Sequence, residues 1–150
     1  MGEAQAGTSS VSSIEAIRSD LGATETARGT LIALPGDVLF DFDKAEIRPS
    51  ARPILAKLAQ LIESENPPAI AIEGHTDSKG DDSYNDRLSM ARAQAVRDFL
   101  KDVHRVPGDI MQAEGLGEDR PAAPNANPDG SDNEDGRQKN RRVEVVLRGD

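Results

Sequence analysis

Short apolar runs alternate along this chain with two longer segments of helical periodicity, and that order restricts the fold more than any other feature of the sequence. Short runs that are apolar throughout, or at every second residue, are typical of β-strands. We predict strands over residues 30–34, 38–42, 69–74, 110–115 and 142–147. In the run 38–42, the alternation places Val38, Phe40 and Phe42 on one face.

The two helical segments lie between these strands. Residues 51–65 form the first, and residues 84–104 form the second, which ends before Pro107. The first segment has one apolar stripe, made of Ile54, Leu55, Leu58, Leu61 and Ile62. Alternating strands and helices predict crossover connections and helices packed on a sheet. The predicted fold class is therefore α/β, with helices packed on a sheet.

Composition divides the chain near residue 28. Residues 1–28 are rich in small and polar residues, with one helical pattern at residues 11–21, and we predict a polar linker or an appended N-terminal element. Residues 29–150 then form the folded domain, which is a suitable size for a single hydrophobic core. Residues 121–136 are rich in Pro, Asn, Asp and Gly, and we predict a loop there.

Charge and missing residue types exclude several kinds of function. The formal net charge is −9 and the pI is near 4.7, so a nucleic-acid partner would be repelled. The chain has no cysteine, which excludes disulfides, thiolate nucleophiles and cysteine-type zinc sites. Its apolar runs are far shorter than the roughly 20 residues of a membrane span. We therefore predict neither a nucleic-acid partner nor a membrane span in this chain.

One charged residue lies on the apolar side of the second helix. At about 100° per residue, one continuous apolar stripe contains Leu88, Ala91, Ala95, Val96, Phe99 and Val103. Arg92 falls inside this stripe, and Asn85 lies on the same face one turn earlier. A guanidinium in this position needs a partner, because an unpaired buried charge is very costly.

A nearby acidic candidate for that partner is Asp77, which follows the strand ending in Glu73, Gly74 and His75. If the extended conformation continues that far, Glu73, His75 and Asp77 share one side of the strand. The sequence leaves two arrangements open. One is a closed Asp77–Arg92 ion pair that holds the helix to the sheet, and the other is an open pair that grips a zwitterion between its two charges.

Several separated motifs resemble those of the OmpA C-terminal-like family, which includes the Pal lipoproteins and the flagellar stator MotB. The first two are residues 74–80 (GHTDSKG) and 84–93 (YNDRLSMARA). Residues 40–43 (FDFD) resemble the family's opening strand. The later motifs match in order at residues 115–121 (GLGEDRP), Asn125, residues 136–137 (GR) and residues 140–143 (NRRV). The resemblance covers about residues 38–147 and is specific, because it rests on several separated blocks.

The resemblance implies an α+β sandwich, with a mixed sheet of about four strands and two principal helices in a βαβαββ-like order. It also implies non-covalent binding of peptidoglycan, and we predict no enzymatic activity because no nucleophile or general base can be identified in the sequence. In the family, the Asp of the HTD motif and the Arg of the LSxxRA motif hold the diaminopimelate residue of the stem peptide. Those positions are Asp77 and Arg92 here. The free end of diaminopimelate carries one ammonium and one carboxylate, so one anion and one bidentate cation would match it.

Neighbouring residues are predicted to complete the site. Asn85 would add a neutral hydrogen bond, and Asp43 or Arg142 would close the rim. No catalytic residue, metal ligand or cofactor is predicted. A second tier of candidate contacts consists of Thr76, Leu88, Asn140 and Arg141.

The implied ligand places the domain in the periplasm, where it would anchor an outer-membrane or envelope component to the cell wall. Two other classes of function stay open. The domain could be an envelope protein–protein interaction module, as in Pal-like or stator-like relatives. A metal-dependent cell-wall hydrolase would have to use His75 with Asp77, or Asp41 with Asp43, but two histidines are few for a zinc site. We interpret His75 as a structural or rim residue.

The loop at residues 125–136 resembles half of a calcium-binding loop, with oxygen-bearing side chains before a glycine. Its twelfth position is Gly136 where a calcium loop has Glu. We therefore interpret this segment as a solvated turn.

Overall fold

The computed structural model describes residues 14–149 and contains one mixed sheet of five strands. In chain order the strands are β1 (Thr24–Thr26), β2 (Gly29–Pro35), β3 (Ala69–His75), β4 (Met111–Gly115) and β5 (Arg142–Arg148). Their order across the sheet is β1-β2-β5-β3-β4. β5 is antiparallel to both β2 and β3, β1 is antiparallel to β2, and β3 is parallel to β4. The predicted α/β fold with a mixed sheet is confirmed, with one strand more than expected.

Two long helices and three short ones accompany the sheet. The helices are α1 (residues 14–21), α2 (Gly36–Leu39), α3 (Arg52–Glu65), α4 (Asp82–His104) and α5 (Glu134–Asn140). α3 and α4 confirm the two predicted principal helices, and α4 is the crossover between the parallel strands β3 and β4. Within residues 14–149, no helix is both long enough and apolar enough to cross a membrane.

The hydrophobic core lies between the helices and one face of the sheet. Ile32, Val145 and Ile72 are register partners on β2, β5 and β3, and all three are fully buried. The long helices bury Leu55, Leu58, Leu61, Val96 and Leu100 in the same core. We call the opposite face of the sheet the far face; on β3 and β5 its residues are Ala71, Glu73, His75, Arg142, Glu144 and Val146.

α4 lies directly against the sheet at two glycines. A Cβ atom on Gly74 would lie 2.0 Å from the backbone oxygen of Ser89, and one on Gly115 would lie 2.5 Å from the backbone nitrogen of Met90. A residue with a side chain would not fit at either position. This close approach places the first half of α4, including Arg92, beside the end of β3.

The predicted strand at residues 38–42 is wrong. The single helical turn α2 replaces its first half. Leu39 and Phe40 are both buried, whereas Val38 is 43% exposed and Phe42 is 93% exposed. Two consecutive buried residues do not fit the alternation of a half-buried strand. Phe40 reaches the core from just beyond the turn, and Phe42 does not.

The predicted loop at residues 121–136 ends in a helix. α5 begins at Glu134, and the side-chain oxygen of Asn133 accepts a hydrogen bond from the backbone nitrogen of Gly136 at 2.9 Å. The buried residues of α5 are Gly136, Arg137 and Asn140. A helix that buries no apolar side chain has no stripe by which the sequence could reveal it.

Residues 14–28 pack against the rest of the fold. α1 buries Ile17 and Leu21 in the core, and β1 pairs with β2. Residues 14–28 therefore contact the folded domain, and the choice between a polar linker and an appended element for residues 1–28 stays a prediction. The remainder of the predicted N-terminal segment, residues 1–13, lies outside the described residues, and the domain boundary at residue 29 stays a prediction.

Candidate functional site

A cleft of about 650 Å³ opens at the end of the sheet where β3 ends and β5 begins. It lies between the segment from α2 to Asp43, the loop at residues 76–80, the first half of α4, and α5 with Arg141. Its charged lining has a formal sum of zero, although the chain as a whole carries −9. These side chains are Asp37, Asp41, Asp43, Asp77, Glu134, Arg48, Lys79, Arg92, Arg137 and Arg141.

Arg92 lines the cleft, and its side chain is held by neutral groups. It is 6% exposed, its Nε donates to the backbone oxygen of Lys44 at 2.8 Å, and its Nη2 donates to the backbone oxygen of Asp41 at 3.3 Å. Its guanidinium carbon lies 4.9 Å from the centre of the Phe40 ring. Among residues 14–149, no carboxylate forms an ion pair with Arg92.

The electrostatic surroundings of Arg92 follow from this placement. Burial lowers its pKa from the ordinary value, and the negative charges of Asp37 and Asp43 act in the opposite direction. A desolvated cation without an adjacent carboxylate attracts an anion strongly, because the local dielectric is low. Arg92 is therefore suited to hold a carboxylate that enters the cleft.

Asp77 also lines the cleft and is 8% exposed. Its Oδ2 accepts hydrogen bonds from Arg141 Nη1 at 2.7 Å and from Arg137 Nη1 at 3.4 Å, and its Oδ1 accepts one from the backbone nitrogen of Lys79 at 2.9 Å. Asp77 and Arg92 therefore do not form a closed ion pair, and each has other partners. The closed Asp77–Arg92 ion pair is therefore not observed, and the open arrangement that grips a zwitterion stays a prediction.

The predicted side of Asp77 is wrong. β3 ends at His75, so the extended conformation does not continue to Asp77. The backbone nitrogen of Thr76 donates to Gly117 at 2.8 Å, and the chain then turns into the cleft. Asp77 consequently leaves the far face on which Glu73 and His75 lie.

Arg141 connects three carboxylates across the cleft. Besides Asp77, it donates to Asp37 at 3.1 and 3.2 Å and to Glu134 at 2.9 Å. Burial lowers the pKa of Arg141, but these hydrogen bonds outweigh it and the pKa is raised. Arg137 also contacts three carboxylates, because it donates hydrogen bonds to Asp132, Asp77 and Glu134. Its pKa is raised, mainly by the hydrogen bond to Asp132.

The other predicted residues at the cleft are Asn85, Asp43, Thr76 and Leu88. Asn85 is 2% exposed, and its amide donates to the backbone oxygen of Lys79 at 3.0 Å, so it holds the loop that carries Asp77. Asp43 is exposed at the rim with φ 64°, and it forms no ion pair with another residue of the described chain. Asp43 is thus the cleft carboxylate whose negative charge is least neutralised by other described residues.

Arg142 does not line the cleft. It lies on the far face, where its Nε donates to Glu144 at 2.7 Å and its other nitrogens donate to the backbone oxygens of Asn140 and Arg120. Strand alternation separates it from Arg141, which points the other way. The prediction that Arg142 closes the rim is therefore wrong.

Asn140 is fully buried and holds a loop away from the cleft. Its Oδ1 accepts hydrogen bonds from the backbone nitrogens of Ala122 and Ala123 at 2.7 and 2.9 Å. Its Nδ2 donates to Ala123 and to Asn125 Oδ1, both at 2.8 Å. These hydrogen bonds occupy both the oxygen and the nitrogen of the Asn140 side chain, so Asn140 has a structural role.

The apolar stripe predicted for α4 is rotated relative to the observed buried face. Ala91 is exposed and Val103 is 56% exposed. The face that packs inward consists of Asn85, Ser89, Arg92, Ala93, Val96 and Leu100. The prediction that Arg92 and Asn85 face inward is confirmed, because both lie on this mixed face.

The sequence did not single out several residues that line the cleft. Phe40 and Tyr84 supply apolar surface, while Asp37, Glu134 and Arg137 supply charge. The spacing of four residues between Arg137 and Arg141 was a usable signal, since it places both on one side of a helical turn. Because α5 has no apolar stripe, its helix was not predicted, and this spacing was not used.

The amino-acid sequence matches one protein-family model. The model of the OmpA family covers residues 39–135. This match includes Asp43, Asp77, Asn85 and Arg92, and it ends inside α5.

Three curated relatives show how much of a longer protein this chain resembles. Photosystem I P700 chlorophyll a apoprotein A2 of Gloeobacter violaceus is 42% identical over 132 residues, which are 88% of this chain and 15% of that protein. Outer membrane porin F of Pseudomonas aeruginosa is 41% identical over 111 residues, 74% of this chain and 30% of the porin. The peptidoglycan-binding protein ArfA of Mycobacterium tuberculosis is 37% identical over 112 residues, 75% of this chain and 32% of that protein. The chain spans about a third or less of these relatives.

Two solved structures have the same fold. The cell wall anchor of the T6SS from Pseudomonas aeruginosa has a TM-score of 0.77 and 26% identity, with 91% of this chain and 97% of that chain covered. The peptidoglycan-associated lipoprotein from Burkholderia pseudomallei has a TM-score of 0.60 and 30% identity, with 76% and 87% covered. Because the family model covers more than half of the residues and agrees with these structures, the chain belongs to the OmpA family.

Proposed function

We propose that this domain binds peptidoglycan non-covalently, through the diaminopimelate residue of the stem peptide. The OmpA family consists of peptidoglycan-binding and anchoring domains. The observation that carries the proposal is Arg92, a 6% exposed cation that lines a cleft, is held by backbone oxygens and an aromatic ring, and forms no ion pair with another residue of the range 14–149. The positive charge of such a guanidinium is incompletely neutralised, and a ligand carboxylate would complete the neutralisation.

Arg92 would bind the carboxylate at the free end of diaminopimelate. Its Nε and one hydrogen of Nη2 are used by backbone oxygens, which leaves the two hydrogens of Nη1 and the second of Nη2 for a ligand. Two of these can form a bidentate contact. The Phe40 ring and the two backbone oxygens hold the guanidinium plane, so little side-chain entropy remains to be lost on binding.

Asp77 would bind the ammonium of the same group. Arg141 must share or release this carboxylate, and it retains Asp37 and Glu134 when it does. The exchange therefore does not leave an arginine without a carboxylate. Asp43 is a second acceptor for the ammonium, because it stands at the rim without an ion-pair partner among the described residues.

The charged side chains of the cleft sum to zero, which suits a zwitterionic ligand better than the net charge of −9 of the whole chain does. A zwitterion meets equal numbers of acidic and basic side chains there, whereas a purely anionic ligand would meet the negative field of the protein. We expect modest affinity at a single site. Many sites along one cell wall would raise the effective affinity through avidity.

The proposed role is to anchor an envelope component to the cell wall. The relatives include an outer membrane porin and a cell wall anchor, so the proposed location is the periplasm, with a tether to the outer membrane in a longer protein. The chain matches about a third or less of the three curated relatives named above, so the attached module and any envelope protein partner are part of the proposal. We propose a binding module and not an enzyme.

Co-sedimentation with purified diaminopimelate-type sacculi tests the ligand. Wild type should sediment with the sacculi, and Arg92→Ala and Asp77→Asn should not. Arg87→Ala is the matched control, because Arg87 is an exposed arginine on the same helix outside the cleft. Thermal melts of each variant separate loss of binding from loss of fold.

Competition and a second type of sacculus test the chemistry. Free diaminopimelate should release the domain, and sacculi with lysine in that position should bind less, because lysine lacks the second carboxylate at the free end. Equal binding of both wall types would contradict the role of Arg92. A wild-type protein that does not sediment with diaminopimelate-type sacculi would overturn peptidoglycan binding and favour a protein-interaction module.

A further inference from the structure

The far face of the sheet holds a second cluster of chemically active side chains, away from the cleft. Glu73 and His75 lie two residues apart on β3, and Glu144 is the register partner of Glu73 on β5. All three project from the same face because side chains alternate along a strand. Their carboxylate oxygens and ring nitrogen lie within 4.8 Å of one another.

His75 is the unexplained member of this cluster. It is 2% exposed, and neither ring nitrogen has a hydrogen-bond partner among residues 14–149. Its Nε2 points toward Glu144, with 3.7 Å between Nε2 and Oε1. Burying a polar group without a hydrogen bond costs free energy, so Nε2 of His75 is expected to have a further partner.

We propose that Glu73, His75 and Glu144 form a binding site for a divalent transition metal ion, of which Zn²⁺ fits best. Zn²⁺ takes one imidazole nitrogen and carboxylate oxygens at about 2.0–2.2 Å, which separates neighbouring ligand atoms by roughly 3.3–3.5 Å in a tetrahedral site. The separation of 3.7 Å between Nε2 and Oε1 is close to this value. An imidazole ligand disfavours Mg²⁺ and Ca²⁺, which prefer oxygen.

Two arginines compete with the metal for the carboxylates. Arg28 pairs with Glu73 through Nη1 and Nη2 of its guanidinium, and Arg142 donates to Glu144 Oε2 at 2.7 Å. Oε1 of Glu144 is not used by Arg142, so this carboxylate can bind a metal without losing its arginine. The side chain of Arg28 is 44% exposed and can withdraw into water, which frees Glu73.

The metal would join two neighbouring strands at the base of the cleft loop. β3 ends at His75, and the chain continues through Thr76 to Asp77. A metal that links His75 to Glu144 would therefore fix the strand end from which the cleft loop starts. The site is independent of the proposed ligand, and it replaces the expectation that this domain has no metal site.

Metal titration of the full 150-residue chain, purified without a histidine tag, tests the site. We expect one Zn²⁺ per chain by calorimetry and visible d–d absorption with Co²⁺ as a probe. His75→Phe should weaken Zn²⁺ binding by more than about tenfold, since even loss of a residue that only orients a ligand costs roughly 10–100-fold. The matched control is His104→Gln, which removes the chain's other histidine and should leave binding unchanged.

Two further variants keep the test decisive if His75→Phe does not fold. Glu144→Gln should weaken Zn²⁺ binding, and Arg28→Gln should strengthen it, because Glu73 then loses its competing cation. Equal Zn²⁺ affinity in wild type and Glu144→Gln would overturn the proposal, and so would loss of binding in His104→Gln. Retention of Zn²⁺ binding by Asp77→Asn would show that the metal is not bound in the cleft.

Discussion

Arg92 at the cleft and Arg142 on the far face are both almost fully buried arginines, and the two are neutralised in different ways. Arg142 on the far face has a carboxylate, Glu144, at 2.7 Å as well as two backbone oxygens. Arg92 at the cleft has two backbone oxygens and the Phe40 ring, but no ion pair within the described chain. They are exposed by 8% and 6%, so burial alone does not distinguish them.

The difference teaches that the partner of a buried charge indicates its role better than the burial does. A paired arginine has its charge balanced inside the protein, and removing it leaves an unpaired carboxylate. An arginine held by carbonyls keeps its charge available to a ligand, and removing it leaves groups that water can satisfy at the cleft surface. The following predictions test this contrast, beginning with the largest expected effect.

Gly74→Ala should disturb both regions at once. The new Cβ would lie 2.0 Å from the backbone oxygen of Ser89, so α4 must move away from β3. Because the position of a Cβ is set by its own backbone and the Ser89 oxygen is a backbone atom, neither can rotate away, and we expect a loss of about 3 kcal/mol or more in the free energy of unfolding. Urea denaturation measures it. Gly149→Ala is the comparison variant, since no atom lies within 4 Å of the new Cβ there and Gly149 does not have a left-handed φ. Equal stability of the two alanine variants would contradict the close packing.

Arg142→Ala should reduce stability without reducing ligand binding. It leaves Glu144 beside Glu73 without its arginine, and we expect a loss of about 2–3 kcal/mol, less than for a completely buried pair because the Glu144 side chain is 17% exposed. Urea denaturation gives the loss, and sacculus co-sedimentation of the folded variant gives the binding. Loss of binding in a folded Arg142→Ala would place this arginine in the ligand site after all.

Arg92→Ala should show the opposite pattern. Losing a hydrogen bond to a charged ligand group costs about 1.5–3 kcal/mol, which corresponds to roughly 10–100-fold weaker binding to sacculi. The free energy of unfolding should fall by only about 1–2 kcal/mol, the value of the lost carbonyl contacts and ring stacking. Arg92→Lys should recover part of the binding, because it restores the charge without the bidentate geometry. A strongly destabilised Arg92→Ala with unchanged binding would remove the contrast between the two arginines.

Glu144→Gln should alter how stability depends on pH. The pKa of Glu144 is lowered from 4.5 to about 2, first by the imidazole of His75 and then by Arg142. A carboxylate with a lowered folded-state pKa stabilises the fold above its unfolded pKa, and this contribution is lost as the pH falls from 4.5 toward 2. Glu144→Gln should therefore flatten the acid side of the stability curve, measured by urea denaturation at several pH values. Glu63→Gln, at an exposed position on α3, is the control, and an unchanged acid side in Glu144→Gln would contradict the prediction.

The long elements could be predicted because each has its own hydrophobic pattern. α3 and β5 repeat apolar residues with the period of a helix and of a strand, and their ends were predicted to within one residue. β1 consists of Thr24, Glu25 and Thr26, and α5 buries only Gly and polar residues, so neither has a pattern to detect. These elements exist because a neighbour supplies the partners: β2 pairs with β1, and Pro124 and Asn133 contact α5 at Gly136.

The candidate site also has a part that could be predicted from the sequence and a part that could not. Arg92 and Asn85 could be placed on the inward face from helical spacing alone, and the motifs pointed to Asp77. The partners of these residues could not be predicted, because they come from segments that are distant in sequence. Arg141 reaches Asp77 across 64 residues, and Lys44 reaches Arg92 across 48. Arg142 was misplaced because motif membership does not say which face of a strand a residue takes.

The α/β class, the two long helices and the inward-facing arginine on α4 follow from the amino-acid sequence, since they depend on contacts within a few residues. The pairing of Asp77 with Arg141 and Arg137 depends on the three-dimensional fold. So does the finding that, among residues 14–149, Arg92 has no carboxylate partner and the ring nitrogens of His75, which face Glu144, have no hydrogen-bond partner. The physical reason is that ion pairing depends on a few ångströms between groups that the fold alone brings together.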